Sequence, residues 1–289
     1  MNKYSLSTIF AGILWGIISL FLKNLSAIGF SSMQVLMFRG IISSVILFVF
    51  IFIKDKNLLK IKFADIWMFV GTGVISLTFF SICYFRTILE IGSSVAVILL
   101  YTSPIFVLIF SCILFKERIN LSKIVALVLT FAGCIFVTGL PGSGSYISAK
   151  GIFIGICAGF GYALYSIFSR YALAKYDSLT VTFYTFVFSG LSIIPFCGMN
   201  HAAELISVKS VLLICGIALF CTVLPYIFYT FGLSGLETGK AAILVTVEPL
   251  VGTLIGIFVW NEDVSVLKVC GILMIFSAVI LLGRKSEQN

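Results

Sequence analysis

Ten apolar runs, separated by short polar connections, limit what this chain can fold into more than any other feature. They fall at about 6–23, 32–53, 65–86, 93–115, 122–140, 151–172, 178–198, 208–232, 239–260 and 266–283. A helix rises 1.5 Å per residue, so about 20 residues cross the ~30 Å hydrocarbon core of a bilayer. The runs are continuous rather than alternating, which argues against a β-barrel. Composition points the same way: 61% of the residues are hydrophobic, 10% are charged and the mean hydropathy is +1.20. Soluble domains are about a quarter charged, and no soluble core built from 289 residues would hide this much apolar surface. The expected fold is an all-α polytopic membrane protein with ten transmembrane helices. The first run lacks a small-residue cleavage site and reads as the first span.

Lysine and arginine set the expected orientation. With the N-terminus placed in the cytoplasm, 13 of the 19 fall on the cytoplasmic side, five on the opposite side, and Arg39 lies within a span. This bias places both termini inside by the positive-inside rule. It also accounts for the net charge of +8 without a nucleic-acid surface, since the cations are spread along membrane edges. The eight cysteines sit in or at the edge of apolar runs, no CxxC pair occurs, and the single histidine, His201, lies in a connection. Metal binding, a cofactor and a disulfide framework are not expected.

The chain repeats itself. Shifted by 145 residues, the fourth run falls on the ninth: Ala96 meets Ala241, Ile98 meets Ile243, Leu99 meets Leu244, Pro104 meets Pro249 and Glu117 meets Glu262. Tyr84 likewise meets Tyr229, and Trp15-Gly16-Ile17-Ile18-Ser19 meets Tyr162-Ala163-Leu164-Tyr165-Ser166 after a small change of offset. Residues 1–140 and 151–289 read as two five-helix repeats joined by a linker at 141–150, which carries the turn-rich Pro141-Gly142-Ser143-Gly144-Ser145. Five is odd, so the second copy enters the membrane from the opposite side. Inverted repeats are characteristic of secondary transporters, with the substrate site near the midplane between the halves.

Several motifs extend this reading: Trp15-Gly16, Arg39, Thr102-Ser103-Pro104-Ile105-Phe106-Val107, Lys116-Glu117-Arg118, Gly232-Leu233, Lys240-Ala241-Ala242 and Val247-Glu248-Pro249. In these the sequence resembles the drug/metabolite transporter superfamily, and within it the EamA-type ten-helix exporters. The resemblance implies a ten-helix basket with a central cavity and alternating access, usually exporting a small metabolite. It implies a multi-pass location in a bacterial inner membrane and leaves the substrate open.

Glu248 is the first candidate for binding. It lies about 12 Å along its helix from Lys240 at 1.5 Å per residue, close to the midplane. An ionised carboxylate in hydrocarbon must find a partner or take up a proton. Glu248 therefore either meets an amine-bearing substrate or a proton in the cavity, or anchors a neighbouring helix. Pro104 and Pro249 are expected to kink their helices and free the carbonyls of Leu100 and Val245. Trp15, Tyr101, Tyr162 and Tyr165, with Tyr84 and Tyr229, need polar partners when buried and so favour a cavity or the interfacial belt over lipid. Arg39 either receives a substrate carboxylate or snorkels to the headgroups. Arg39 and Glu248 together would suit a zwitterion, which makes amino acids and related amine-bearing metabolites the preferred substrates. Glu117 and Glu262, at helix exits on opposite sides, are expected to pair with loop cations or cap the following helix. Glycines 12, 16, 155, 159 and 161 allow close helix packing.

The alternatives are an intramembrane enzyme and a non-transporting scaffold. An enzyme would need a nucleophile with its base, or a metal cluster, at membrane depth, and no acidic pair sits within one run. A scaffold would have no use for the inverted repeat. No Walker-type GxxxxGK[ST] sequence is present, so transport would run on a substrate gradient, on exchange, or on protons.

Overall fold

A computed structural model describes residues 2–139, 148–198, 202 and 204–284. Residues 141–147 of the linker and His201 lie outside the described residues. Ten helices are long and apolar enough to cross a membrane: α1 (Lys3–Ile28), α2 (Ser32–Lys54), α3 (Phe63–Ile91), α4 (Ser93–Phe115), α5 (Leu121–Thr138), α6 (Ala149–Leu173), α7 (Ser178–Phe196), α8 (Val208–Gly235), α9 (Thr238–Trp260) and α10 (Val266–Gly283). No strand occurs among the described residues. With an even number of spans, both ends of the described chain lie on one side, called here the terminal side; the other is the distal side. Polar side chains set several starts. Asn2, Ser31, Asn120, Ser148, Asp177 and Ser207 each accept an N–H of the first turn that follows, as an N-cap should.

The main packing partner of most spans comes from the other half of the chain. α1 packs on α8, α2 on α7, α3 on α6 and α5 on α10, and the second part of α4 packs on the first part of α9. Exchanging the halves maps the whole-span pairs onto one another, as a pseudo-twofold axis in the membrane plane requires, whereas the image of the last contact, the first part of α4 on the second part of α9, is not among the main contacts. The self-paired spans cross at glycines. A Cβ at Gly40 would stand 3.2 Å from Gly190 Cα, and one at Gly133 would stand 2.9 Å from the Gly271 carbonyl oxygen. In lipid there is little hydrophobic drive between helices, so small residues that bring backbones together supply the association. Large apolar side chains such as Phe48, Phe52, Ile113 and Val128 remain exposed on the outside, where hydrocarbon solvates them.

Two irregularities recur in both halves. α4 breaks at Tyr101–Thr102, between Ser93–Leu100 and Ser103–Phe115. α9 breaks at Val245–Thr246, between Thr238–Leu244 and Val247–Trp260. α3 and α8 each contain a π-helical stretch, Gly71–Thr78 and Leu219–Val223. In each stretch a threonine hydroxyl donates to the carbonyl five residues back, Thr78 to Gly73 and Thr222 to Ile217. Pro104 and Pro249 are expected to kink continuous helices; instead the helices break, and the new segments begin at Ser103 and Val247 with each proline in the first turn. The carbonyl of Val245, expected to be free, accepts the N–H of Glu248 at 3.1 Å. Thr246 N–H bonds the Ile243 carbonyl at 3.2 Å, and Thr102 N–H bonds Leu99 at 3.1 Å. At each break the backbone tightens to three-residue bonds.

The crossing at Gly133 yields a test. Gly133→Val must push against Gly271 O and Ile275, and overpacking of this kind costs about 1–3 kcal/mol. The thermal midpoint in detergent should fall by several degrees. Gly252→Ala, whose new Cβ would find only Gly16 O at 3.8 Å, should leave the midpoint unchanged.

Candidate functional site

The broken span α9 places Glu248 in the first turn of its second segment. The positive end of the helix dipole there favours a negative charge. Glu248 makes no ion pair or side-chain hydrogen bond with any described residue, and its side chain is half-buried. It faces a cavity of about 390 Å³ lined by Trp15, Tyr101, Glu248, Pro249, Gly252 and Thr253 at depth, and by Ser93, Ser94, Thr138, Glu262 and Lys268 toward the distal ends of their helices. Ser93 and Glu262 at the mouth are exposed, and Ser94 is half-buried. The cavity therefore runs from the distal side to mid-span, and its size falls in the range of about 300–1,000 Å³ usual for small-molecule sites.

Beneath its floor the path is closed. Trp15 is only 6% exposed and also borders a separate void of about 20 Å³ with Ser103, Tyr162, Tyr165, Ser166 and Tyr229. The indole is thus a partition between cavity and void. It is held edge-on to Tyr226, with ring centres 4.9 Å apart, and lies 5.5 Å from Tyr229. Tyr226 in turn packs edge-on against Tyr165 at 5.1 Å and Phe186 at 4.9 Å. Tyr229 and Ser166 share a hydrogen bond of 2.7 Å between their hydroxyls. Such ring pairs contribute about 0.5–1.5 kcal/mol each beyond their burial, which makes this cluster a plug rather than a loose lining.

Glycines bring two helices onto the breaks. A Cβ at Gly12 of α1 would meet the Val245 carbonyl oxygen at 2.5 Å, and one at Gly159 of α6 would meet the Leu99 carbonyl oxygen at 2.8 Å. These two glycines stand at the same offset as Trp15 and Tyr162. Each aromatic is therefore seated one helical turn from a glycine that grips a break in the opposite half.

Further toward the terminal side, polar contacts join the halves. The carboxylate of Glu117 accepts the backbone N–H groups of Thr238 at 2.5 Å and Gly239 at 3.1 Å, capping the start of α9. Lys123 pairs with Glu237 at 2.8 Å. Within the second half, Arg170 donates to the carbonyls of Leu233 at 2.7 Å and Leu236 at 3.1 Å. On the distal side the corresponding carboxylate, Glu262, pairs with Lys268 of the same half at 3.1 Å. The state is distal-open and terminal-closed.

The sequence-derived candidates separate as follows. Trp15, Tyr101, Glu248 and Pro249 border the cavity; Tyr162 and Tyr165, with Trp15, border the void; Pro104 is buried at the other break, beside Ser103. Arg39 borders neither. It makes no ion pair with Glu248, and it lies within electrostatic reach of Tyr226, Tyr162 and Cys221. Glu262 pairs with a cation as expected, whereas Glu117 caps a helix of the other half instead of the helix that follows it. Sequence reasoning missed Tyr226, which links Trp15, Tyr165 and Phe186. It also missed Ser93, Ser94, Thr138 and Thr253. The only available signal was that Tyr226 follows Pro225 in a span whose other tyrosine, Tyr229, was already suspected.

Ten spans in two inverted halves, with a cavity reaching mid-span from one side, form the architecture of a membrane transporter. The model of the EamA-like transporter family matches the chain twice, over residues 2–139 and 149–284, and the chain belongs to that family. Among curated relatives, an uncharacterized transporter of Archaeoglobus fulgidus is 27% identical over 135 residues, 47% of this chain and 48% of the relative. The uncharacterized inner membrane transporter YicL of Salmonella typhimurium is 27% identical over 143 residues, 50% of this chain and 48% of the relative. The matched part of the chain thus spans about half the length of each of these relatives. A crystal structure superimposes with a TM-score of 0.81 over 99% of this chain and 98% of its own, at 14% identity, which is a likeness of fold.

Sided labelling tests the distal-open geometry. In a background with the eight native cysteines replaced, Thr253→Cys should react with a membrane-impermeant maleimide applied from the distal side. Ser166→Cys, beneath the Trp15 partition, should be protected from that side by at least about tenfold. Equal reactivity would contradict the partition.

Proposed function

We propose that the protein is a secondary transporter of a bacterial inner membrane, with cytoplasmic termini, that exports a small amine-bearing metabolite by alternating access. Amino acids are the preferred substrate class. The observation that carries the proposal is the unpaired Glu248 carboxylate at the base of a one-sided cavity. In transporters with broken helices, half-helix N-termini commonly attract anionic substrate groups. Here the N-terminus of the second α9 segment already carries an anion, so the local field favours a cation. An ammonium group entering the cavity gains a charge-assisted contact with Glu248 and the faces of Trp15 and Tyr101 for cation–π attraction. The unshared residue supports the same reading: the position equivalent to Glu248 in the first half is Ser103, which borders the closed void.

The asymmetry of cations, 13 on the terminal side against five on the distal side, supports cytoplasmic termini. The distal-open state is then outward-facing, as an exporter adopts when releasing its cargo. Arg39 lies outside the cavity lining, so a substrate carboxylate would meet it only if the plug moved. Protons could serve the cycle through Glu248, since a carboxylate that gives up its substrate in hydrocarbon must be neutralised.

Proteoliposomes provide the test. Uptake of labelled amino acids and polyamines should be saturable for at least one compound, and Glu248→Gln should lower it by at least about tenfold, the effect of one charged hydrogen bond. Wild-type rates in Glu248→Gln would overturn the assigned role, and saturable uptake of none of these compounds would overturn the amine reading.

A further inference from the structure

The terminal-side closure has an unfilled image on the distal side. The Glu117 carboxylate crosses to the other half and caps Thr238 and Gly239. Moved by the 145-residue repeat, these three residues become Glu262, Ser93 and Ser94. All three line the distal cavity, and no side chain caps the Ser93–Leu100 segment. The turn that delivers the carboxylate is the same in both halves. Lys116 and Asn261 both adopt the left-handed conformation, with φ of 56° and 53°. The N–H of Glu117 bonds Ser111 O at 3.2 Å, and the N–H of Glu262 bonds the equivalent Gly256 O at 3.0 Å. Only the side chains differ. Glu262 folds back over its own helix, where a Cβ at Gly256 would meet its Oε2 at 2.8 Å, and pairs with Lys268.

We propose that Glu262 is the distal gate residue: when the distal mouth closes, its carboxylate leaves Lys268 and accepts the backbone N–H groups of Ser93 and Ser94, while Glu117 releases Thr238 and Gly239. This rests on the alternating-access reading above. One carboxylate cap is exchanged for its mirror image, so the number of capped helix starts is constant and the two states stay close in energy. Lys268 is the equivalent of Lys123, but the acid that Lys123 reaches, Glu237, corresponds to Gly92. At the repeat-equivalent position Lys268 therefore has no acid to cross to. It holds Glu262 back in the state seen here and offers nothing in exchange.

The proposal requires opposite effects from the two members of one ion pair. Ala242→Cys, which borders the closed void, serves as reporter in a cysteine-free background, labelled in membrane vesicles by an impermeant maleimide from the terminal side. Lys268→Ala frees Glu262 for the cap and should raise labelling by about tenfold, as should Glu117→Gln, which removes the existing cap. Glu262→Gln should lower labelling by a similar factor, and Lys268→Arg should leave it unchanged. If Glu262 only anchors the distal rim through Lys268, then Lys268→Ala and Glu262→Gln must shift labelling together or not at all. Either result, or a reporter that no variant makes reactive, overturns the gate. Flux measured in the same vesicles tests the transport reading separately. Opposite shifts without flux keep the gate and remove the transporter, whereas flux with parallel shifts keeps the transporter and removes the gate.

Discussion

Inside hydrocarbon an amide group has no water to turn to, and every unpaired donor or acceptor costs several kcal/mol. The site depends on how the chain meets that constraint at two places where helices stop mid-membrane. At Tyr101–Thr102 and Val245–Thr246 the backbone closes three-residue bonds, and the threonine hydroxyls turn back onto the carbonyls of Leu99 and Ile243. Proline then lies in the first turn of the next segment, where its missing N–H would have had no helical partner. The break survives because its polar groups are satisfied locally. Once it exists, a helix N-terminus stands at mid-span, and Glu248 has a favourable place to hold a charge.

Packing around the breaks follows from the same economy of polar surface. With few charges to spend, the spans associate through glycine contacts and hydroxyl-to-carbonyl bonds such as Ser76 to Gly161 at 2.8 Å and Ser7 to Phe228 at 2.8 Å. Both bonds link spans of opposite halves. Aromatic rings fill what the glycines leave. The Trp15–Tyr226–Tyr165 cluster sits where α1, α6 and α8 converge, so the barrier between the two sides is made by the spans that also press on the breaks.

Much of this was legible in the sequence, and the limits have physical causes. Span number and approximate ends follow from hydropathy, because hydrocarbon thickness fixes helix length. The repeat is visible at Pro104/Pro249 and Glu117/Glu262, and Trp15, Tyr101 and Glu248 stand out as candidates for a cavity because each combines apolar bulk with a polar demand. A proline shows only that one hydrogen bond cannot form, so it could not distinguish a kink from a break rebuilt by Thr102 and Thr246. The π stretches carry no residue signature beyond a threonine, and threonines elsewhere bond the carbonyl four residues back, as Thr230 bonds Tyr226. Whether Arg39 points to lipid headgroups or to tyrosines depends on the rotation of α2, set by its crossing with α7 at Gly40 and Gly190. The cap by Glu117 joins residues 121 positions apart, a distance that no local pattern spans.

The pairing of spans also carries a history. If the principal neighbour of a helix belongs to the other half, one half alone has little core to fold around. A five-span ancestor would have been stable only beside a second copy of itself inserted the opposite way up. The π stretches at matching positions in α3 and α8 are most economically one ancestral irregularity copied with the rest of the half. On this account the fused chain descends from an antiparallel dimer, and fusion allowed the two copies to diverge, so that the second carries Glu248 and Glu237 where the first carries Ser103 and Gly92.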